Sequence, residues 1–254
     1  MNNGRLKDVG LALGGGAALG AAHIGVLRYL AERDFKVTHI AGTSVGALVG
    51  GAYACGVPIT ELTKFARRAR WTKLTRLSIP RMSLFANDRL RDFIYRLVGG
   101  RYIHETEIPF AAVACSLETG RQVVLQEGPL AEAILASCAI PGIFEPVEIN
   151  GELLCDGGVV NQVPDGIVWE MGARQVIAVD LISNVMSNQR PENIFGVFYK
   201  ALNILTKRTM TFHPDTIVIS PPTTGFSTVD LNNYRALIRI GYRAAKDTLE
   251  KIWL

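Results

Sequence analysis

The sequence predicts a single α/β domain built on a largely parallel central sheet. Short apolar runs, typical of strands buried on both faces, alternate with longer runs whose apolar residues recur at helical spacing. The chain has 254 residues, of which 48% are hydrophobic and 20% charged, which is enough to enclose one sizeable core. It contains no internal repeat and no low-complexity segment. We therefore expect one domain over residues 1–254.

The first strand–helix unit contains a glycine-rich turn. An apolar run at 9–13 leads into the turn at 14–20, and a helix with an apolar stripe follows. Such a turn directs unpaired backbone N–H groups toward an anion at the helix N-terminus. The anion could be a dinucleotide pyrophosphate, a nucleotide phosphate or the oxyanion of an acyl-transfer intermediate. The glycine spacing departs from the dinucleotide fingerprint and no Gly-Lys-Ser/Thr follows, which disfavours a nucleotide-binding domain.

The second strand–helix unit contains the pentapeptide Gly42-Thr43-Ser44-Val45-Gly46. Gly-x-Ser-x-Gly between a strand and a helix is typical of a nucleophile elbow, in which a sharp turn exposes the serine hydroxyl. Gly42 and Gly46 leave room for that turn, and the helix N-terminus favours negative charge that develops at Ser44. The alternative is a Gly/Ser-rich turn of an ordinary α/β domain. An elbow one unit after a glycine-rich turn favours the oxyanion interpretation of that turn.

Two aspartates stand at predicted strand ends and could activate Ser44. Asp156 is followed by Gly157 and Gly158, which let the chain approach another backbone, and Asp180 ends a later apolar run. We favour Asp156 and keep Asp180 as the rival acid. A carboxylate acts as a base toward serine only if desolvation raises its pKa toward the working pH. A two-residue device therefore requires a buried aspartate.

A histidine is the alternative base. His213 is the only one of the four histidines that could complete a Ser…Asp…His order with Ser44 and Asp156. His23 lies in the first helix and His39 in the strand before the elbow, where packing or hydrogen bonding is the expected role. The remaining histidine, in a charged connection, is not a candidate.

The positive charge of the chain is concentrated in one segment. Residues 61–101 contain eleven Lys/Arg and three Asp/Glu, whereas the net charge of the whole chain is +4. We interpret 58–101 as a basic helical insertion that meets an anionic membrane surface, and we expect no nucleic acid partner. Within it, 71–86 mixes large apolar residues with cations and is a candidate lid over the site. The alternative is a solvated helical face.

The chain carries no feature typical of export or membrane insertion. The N-terminal residues lack the apolar region of a signal peptide, and the apolar stretch 9–27 is broken by glycines and a histidine. Four widely spaced cysteines, without a Cys-x-x-Cys pair, are typical of buried reduced thiols. We expect a cytoplasmic protein that associates peripherally with the inner face of the membrane.

Four motifs, in this order, resemble the patatin-like phospholipase family, and most of all its short bacterial members. They are Gly15 to Leu27, Gly42 to Gly46, Ala136 to Gly142, and Asp156 to Gly158. The resemblance covers residues 8–180. It leaves 181–254, with a predicted loop at 183–191, as a C-terminal elaboration.

The resemblance implies a three-layer α/β/α fold with a mostly parallel central sheet. It also implies hydrolysis of lipid acyl esters by a Ser-Asp dyad without histidine, metal or cofactor. Ser44 would be the nucleophile and Asp156 the general base, and the partner would be a lipid or other acyl-ester substrate. The family pattern places the oxyanion donors at Gly15, Gly16 and Ala17, and its other motif glycines at Gly20, Gly42, Gly46, Gly157 and Gly158.

Two residues of the glycine-rich loop depart from the family pattern. Leu19 stands where the family usually has Arg or Lys, and Ala17 stands where it often has a third consecutive glycine. Loss of the cation removes a positive charge near the oxyanion donors, whereas the backbone donors remain. The competing interpretation is a catalytically weak or inactive lipid-binding or regulatory protein on the same fold. The residues indicate neither an oligomeric state nor a headgroup preference.

Overall fold

The computed structural model of the chain describes residues 7–77, 82–183 and 194–253. Part of the candidate lid, 78–81, and most of the predicted loop at 183–191 lie outside the described residues. The α/β fold predicted from the sequence is confirmed, because helices cover both faces of a mostly parallel central sheet.

Two sheets contain the strands of the described chain. The strands are β1 (Asp8–Leu13), β2 (Lys36–Thr43), β3 (Arg76–Leu77), β4 (Ser83–Ala86), β5 (Phe110–Ser116), β6 (Gln122–Leu125), β7 (Gly142–Phe144), β8 (Val147–Ile149), β9 (Glu152–Asp156), β10 (Val176–Val179) and β11 (Ile217–Ile219). The large sheet has the order β11-β10-β1-β2-β5-β9-β8, with β6 also paired to β5, and the small sheet has the order β3-β4-β7. Strands β11, β10, β1, β2 and β5 are parallel, whereas β6, β8 and β9 pair antiparallel.

Helices pack on both faces of the large sheet. The helices are α1 (Ala21–Glu32), α2 (Val45–Ala54), α3 (Ile59–Arg68), α4 (Trp71–Leu74), α5 (Asp88–Val98), α6 (Leu130–Ser137), α7 (Asp165–Glu170), α8 (Ile194–Thr209) and α9 (Tyr234–Trp253). Alternate residues of a strand point to opposite faces, so β1 places Leu11 and Leu13 in one core and Ala12 in another. The first core includes α1, α2 and α9, and the second includes α7. The result is three layers.

Strand β5 brings the ends of β2 and β9 together. A strand has two edges, and β5 has three partners: β2 pairs with its first half, β9 with its second half, and β6 with parts of both. Because β6 overlaps both of the other partners, it occupies one edge, and β2 and β9 follow one another along the other edge. Thr43 pairs with Val113, and Asp156 pairs with the next residue, Ala114. The residue that follows Thr43 is therefore directed to Asp156.

The C-terminal helix α9 packs tightly against α1. Gly25 of α1 faces the backbone of Ile238 and Tyr242, and Gly241 of α9 faces the backbone of Ala22. A Cβ atom on either glycine would overlap that backbone, so the two glycines allow the helices to approach closely. The C-terminal elaboration thus contributes a helix to the first core.

The predicted basic insertion contains α3, α4, α5 and the strands β3 and β4. Strand β4 pairs with β7, which follows α6, so the insertion is tied to the main domain by a sheet. Phe65 of α3 contacts Phe93 of α5 with ring centroids 3.8 Å apart. Leu62 and Ile94 are buried in the first core. The insertion therefore packs on the same side of the large sheet as α2.

Candidate active site

Ser44 lies on a sharp turn between β2 and α2. Its backbone has φ 55° and ψ −125°, a conformation that residues other than glycine rarely adopt. A Cβ atom on Gly42 would lie 2.5 Å from the amide nitrogen of Ala47. A Cβ atom on Gly46 would overlap the carbonyl oxygen of Leu13. The turn therefore has the strained geometry of a nucleophile elbow, which the pentapeptide predicts.

Ser137, at the end of α6, stabilises the turn at Ser44 through hydrogen bonds. The Ser44 N–H donates to Ser137 Oγ at 2.9 Å, and the Ser137 hydroxyl donates to the Val113 carbonyl at 2.6 Å. This chain of hydrogen bonds joins the nucleophile to the central strand β5 and fixes its backbone. The sequence pattern did not assign Ser137 a role, although it lies in the third motif of the family resemblance.

Asp156 ends β9 beside the elbow, and the residue is only 5% exposed. Burial raises the pKa of Asp156 to about 6. Hydrogen bonding with the Ser44 side chain and the Gly158 N–H lowers this pKa, but by less than burial raises it. The Gly158 N–H donates to Asp156 Oδ1 at 2.8 Å. A Cβ atom on Gly157 would overlap the Val113 carbonyl oxygen, so a glycine is needed at this close contact with β5. The carboxylate is thus desolvated, oriented by a backbone donor and located beside the Ser44 turn, which is what a base without histidine requires.

The glycine-rich loop differs from expectation at Gly15. Its N–H donates to the Gln162 carbonyl at 3.1 Å, so this group is already used inside the fold. In the described chain, the N–H groups of Gly16 and Ala17 have no acceptor. Ala17 has φ 49°, a left-handed conformation that glycine adopts more readily. Gly16 and Ala17 therefore remain the candidate oxyanion donors. The left-handed backbone at Ala17 explains why glycine suits that position.

His23 holds the start of this loop. Its Nε2 lies 2.8 Å from the Gly14 carbonyl oxygen, and because a carbonyl only accepts, Nε2 carries the proton. Burial lowers the pKa of His23 to about 4, and the hydrogen bond to Gly14 raises it only in part. The ring is therefore neutral at physiological pH. The packed, hydrogen-bonded role expected for His23 is confirmed, and the sequence did not show that its partner is the glycine-rich loop.

An apolar cavity of about 140 Å³ opens beside Ser44. Apart from Ser44, its lining comes from apolar and aromatic side chains and small loop residues of α1 to α5, the glycine-rich loop, the segment 138–144 and the region around the start of α9. Leu48, Phe65, Phe93 and Phe144 are among the larger ones. The basic insertion thus contributes its apolar faces to this wall. The cavity has the character of a site for a hydrocarbon chain.

Comparison with known proteins now identifies the family. The family model "Patatin-like phospholipase" matches residues 11–169, more than half of the chain. The chain belongs to the patatin-like phospholipase family. The resemblance that the four motifs indicate is thereby confirmed.

Several curated relatives of this patatin-like protein carry NTE in their names. An uncharacterized NTE family protein of Mycobacterium tuberculosis is 40% identical over 176 residues, which are 68% of this chain and 49% of that protein. "Lysophospholipase NTE1" of Mycosarcoma maydis is 32% identical over 180 residues, which are 68% of this chain and 10% of that protein. The chain therefore spans about half the length, or less, of these relatives.

Two solved structures share the fold. VipD from Legionella pneumophila superposes with a TM-score of 0.68 at 15% identity, covering 96% of this chain and 67% of VipD. The type III effector protein ExoU gives a TM-score of 0.55 at 14% identity, covering 96% of this chain and 53% of ExoU. These likenesses confirm the three-layer patatin fold.

The structure gives Asp180 and His213 partners other than Ser44 in this patatin domain. Asp180 follows β10, which is separated from β2 by β1, and its Oδ1 accepts from the N–H groups of Ile182 and Ser183 at 2.9 and 3.1 Å. The His213 ring packs on Trp169, with centroids 4.8 Å apart. None of the contacts described for Asp180 or His213 involves Ser44.

Leu19 is fully buried in the first core, so its position does not face the solvent. All four cysteines are buried and free, as predicted. Among the described residues, no helix combines the length and apolarity needed to cross a bilayer. Within that same part of the chain, no cluster of His, Cys, Asp or Glu is arranged to hold a metal ion.

Proposed function

We propose that this patatin-like protein is a serine lipid acyl hydrolase of the phospholipase A, lysophospholipase or esterase type. The observation that carries the proposal is the buried Asp156 carboxylate beside Ser44, a serine that lies in the wall of an apolar cavity and whose side chain lowers the pKa of that carboxyl. A serine, a desolvated base and a hydrocarbon-sized space are the parts that ester hydrolysis of a lipid needs. Family membership supports the same conclusion.

The proposed reaction has two steps. Ionised Asp156 takes the hydroxyl proton of Ser44 as Oγ attacks the ester carbonyl, and the N–H groups of Gly16 and Ala17 donate to the oxyanion. The C–O bond breaks, and Asp156 returns the proton to the leaving alcohol or lysolipid. Asp156 then takes a proton from water, whose oxygen attacks the acyl-enzyme, and the fatty acid leaves as Ser44 regains its proton.

The cavity supports a substrate with a fatty acyl chain. Its lining is apolar apart from Ser44, so an acyl chain gains free energy by leaving water, while the carbonyl stays at the elbow. A relative named as a lysophospholipase favours lipid esters over small soluble esters. The basic segment 61–101 of the insertion would bring this cavity to an anionic bilayer, in keeping with a peripheral protein on the inner face of the membrane.

Labelling with a fluorophosphonate probe, read by intact mass, tests the dyad. Wild type should gain a single adduct, Ser44→Ala should gain none, and Asp156→Asn should label at least about a thousandfold more slowly, since the serine loses its base. His213→Ala is the matched control and should label within about tenfold of wild type. A silent His213→Ala variant that remains folded would instead establish a Ser-Asp-His triad.

A non-catalytic lipid-binding protein is the second candidate. Two observations favour it: the Gly15 N–H is engaged with Gln162, and Ala17 holds a left-handed conformation without being glycine. If folded wild type gains no adduct, with or without anionic vesicles, while a fatty acid still raises its melting temperature, this candidate replaces the hydrolase.

A further inference from the structure

A second concave surface lies outside the candidate active site. It is a groove of about 580 Å³ between α1, α3 and α9. Five of its eight lining side chains are cations, and the lining comprises Arg28, Thr63, Lys64, Arg67, Tyr234, Arg235, Ile238 and Arg239. We name it the basic groove. It joins two cations of the insertion to three cations that lie outside residues 61–101.

The basic groove holds more positive charge than its neighbours neutralise. Arg28 pairs with Glu32 at 2.8 Å, and Lys64 pairs with Glu61 at 2.6 Å. In the described part of the chain, no carboxylate pairs with the other three cations, which are Arg67, Arg235 and Arg239. Three guanidinium groups without a carboxylate partner around one concavity repel each other and attract an anion.

The packing of α9 on α1 sets the relative positions of the cations in the basic groove. Helix α9 is seated on α1 by the close contacts of Gly25 and Gly241, so both helices present their cations in a constant relation. Arg235 and Arg239 are one helical turn apart and share a face. The Arg235 guanidinium lies over the Tyr234 ring, 5.6 Å from its centroid, and its Nε donates to the Tyr234 hydroxyl at 2.9 Å. These two contacts with Tyr234 orient the planar Arg235 guanidinium, a group that can donate two parallel hydrogen bonds to a phosphate.

Tyr234 also lines the apolar cavity, so the basic groove and the candidate active site share a wall. The loop just before α9 exposes Val229, whose side chain is 42% accessible. A surface that combines fixed guanidinium groups with neighbouring apolar side chains matches the boundary between headgroups and acyl chains of a bilayer. A nucleic acid backbone would use the cations but not the apolar neighbours.

We propose that the basic groove binds the phosphate headgroup of an anionic membrane lipid and so docks the domain with its cavity against the bilayer. This proposal rests on the proposed function and extends it. It names the site that docks the domain on the membrane, and it assigns the preference for anionic lipid to Arg235 and Arg239 of α9. The bound lipid is a docking partner, separate from the molecule whose ester reaches Ser44.

Vesicle binding tests the inference in the Ser44→Ala background, where no lipid is consumed. The groove variant is Arg235→Gln with Arg239→Gln, and the control is Arg121→Gln with Arg174→Gln, which removes the same charge from exposed positions outside both the groove and the segment 61–101. Co-sedimentation with phosphatidylcholine vesicles containing phosphatidylglycerol should fall at least about tenfold for the groove variant and less than about threefold for the control. Vesicles of phosphatidylcholine alone should bind all three proteins weakly. Equal losses in both variants, or no loss in either, would overturn the inference.

Two further measurements separate this inference from neighbouring claims. With Ser44 restored, the groove variant should hydrolyse a water-soluble short-chain ester at the wild-type rate, whereas it should lose activity on phosphatidylglycerol-containing vesicles. If wild type hydrolyses no ester but still needs Arg235 and Arg239 to bind vesicles, the hydrolase proposal fails and the docking site stands. Binding to a DNA duplex that depends on the same two arginines, without vesicle binding, would replace the lipid by a nucleic acid.

Discussion

The two strand–turn–helix units that meet at the cavity are held in different ways. In the unit of β2, the turn at Ser44 is fixed by glycines within its own pentapeptide and by Ser137. In the unit of β1, the turn is fixed by distant parts of the chain, since Gly15 donates to the Gln162 carbonyl and Ala18 donates to the Thr228 carbonyl. Each turn contains a non-glycine residue at positive φ. The Ser44 turn thus combines glycines of its own pentapeptide with one distant hydrogen-bond acceptor, whereas the glycine-rich turn depends on hydrogen bonds to two distant segments.

Gly46→Ala should break the first turn and disturb the second. The added Cβ would overlap the Leu13 carbonyl oxygen and lie 2.7 Å from that of Gly14, so the two units must move apart. We expect the free energy of unfolding in urea to fall by about 3 kcal/mol or more, as for other overpacked sites. Gly166→Ala, in α7 with no atom within 4 Å of the added Cβ, is the control and should change stability little. Equal effects of the two substitutions would show that the close contact is relieved at no cost.

Asp156→Asn should stabilise the fold above pH 6. The pKa of Asp156 is raised from 3.8 to about 6, so the folded protein binds this proton more tightly than the unfolded chain. The stability that this provides is complete below pH 4 and is lost as the pH rises through 6. Two pKa units correspond to about 3 kcal/mol, so the variant should gain up to that amount at pH 8 and none at pH 4. A gain that does not change between these pH values would argue against a strained ionised carboxylate.

His23→Leu tests the tertiary contacts of the glycine-rich loop. It leaves the Gly14 carbonyl without its buried donor, which should lower the free energy of unfolding by about 2 kcal/mol. Fluorophosphonate labelling should also slow by about tenfold, because the donors that follow Gly14 are then less well positioned. His39→Leu, at a half-buried position on β2, serves as the comparison and should leave the labelling rate unchanged. Labelling at the wild-type rate in His23→Leu would restrict His23 to packing.

Ala17→Gly should have the smallest effect. It removes the strain of a left-handed alanine, at φ 49°, so stability should rise by about 1 kcal/mol or less in thermal unfolding. Ala18→Gly, one residue further in a position without positive φ, should instead destabilise by a similar amount. If both variants lose stability, the loop conformation of Ala17 carries no strain.

The local parts of this site could be predicted from the sequence, and the contacts between distant segments could not. Ser44 and its glycines predict the elbow because the glycines that permit the sharp turn lie in the same pentapeptide. The proximity of Asp156 depends on β2 and β9 sharing one edge of β5, and no local pattern encodes that pairing. The engaged N–H of Gly15 depends in the same way on Gln162.

The C-terminal helix shows the same limit. Its apolar stripe predicts a long helix from Asp230, and the structure has an Asp230-capped turn followed by α9. Nothing in that stripe shows that α9 would pack on α1, share Tyr234 between cavity and basic groove, and align Arg235 and Arg239 with cations of α3. Charge counted along the chain assigned the basic surface to 61–101 alone.

The pH dependence of the labelling rate tests most directly the claim that Asp156 activates Ser44 without a histidine. The rate should rise about tenfold per pH unit at low pH and level off above a midpoint near pH 6, because the carboxylate must be ionised to accept the proton. The same profile should appear in His213→Ala. A rate without a midpoint near this pH, or a midpoint that disappears when His213 is replaced, would contradict the account.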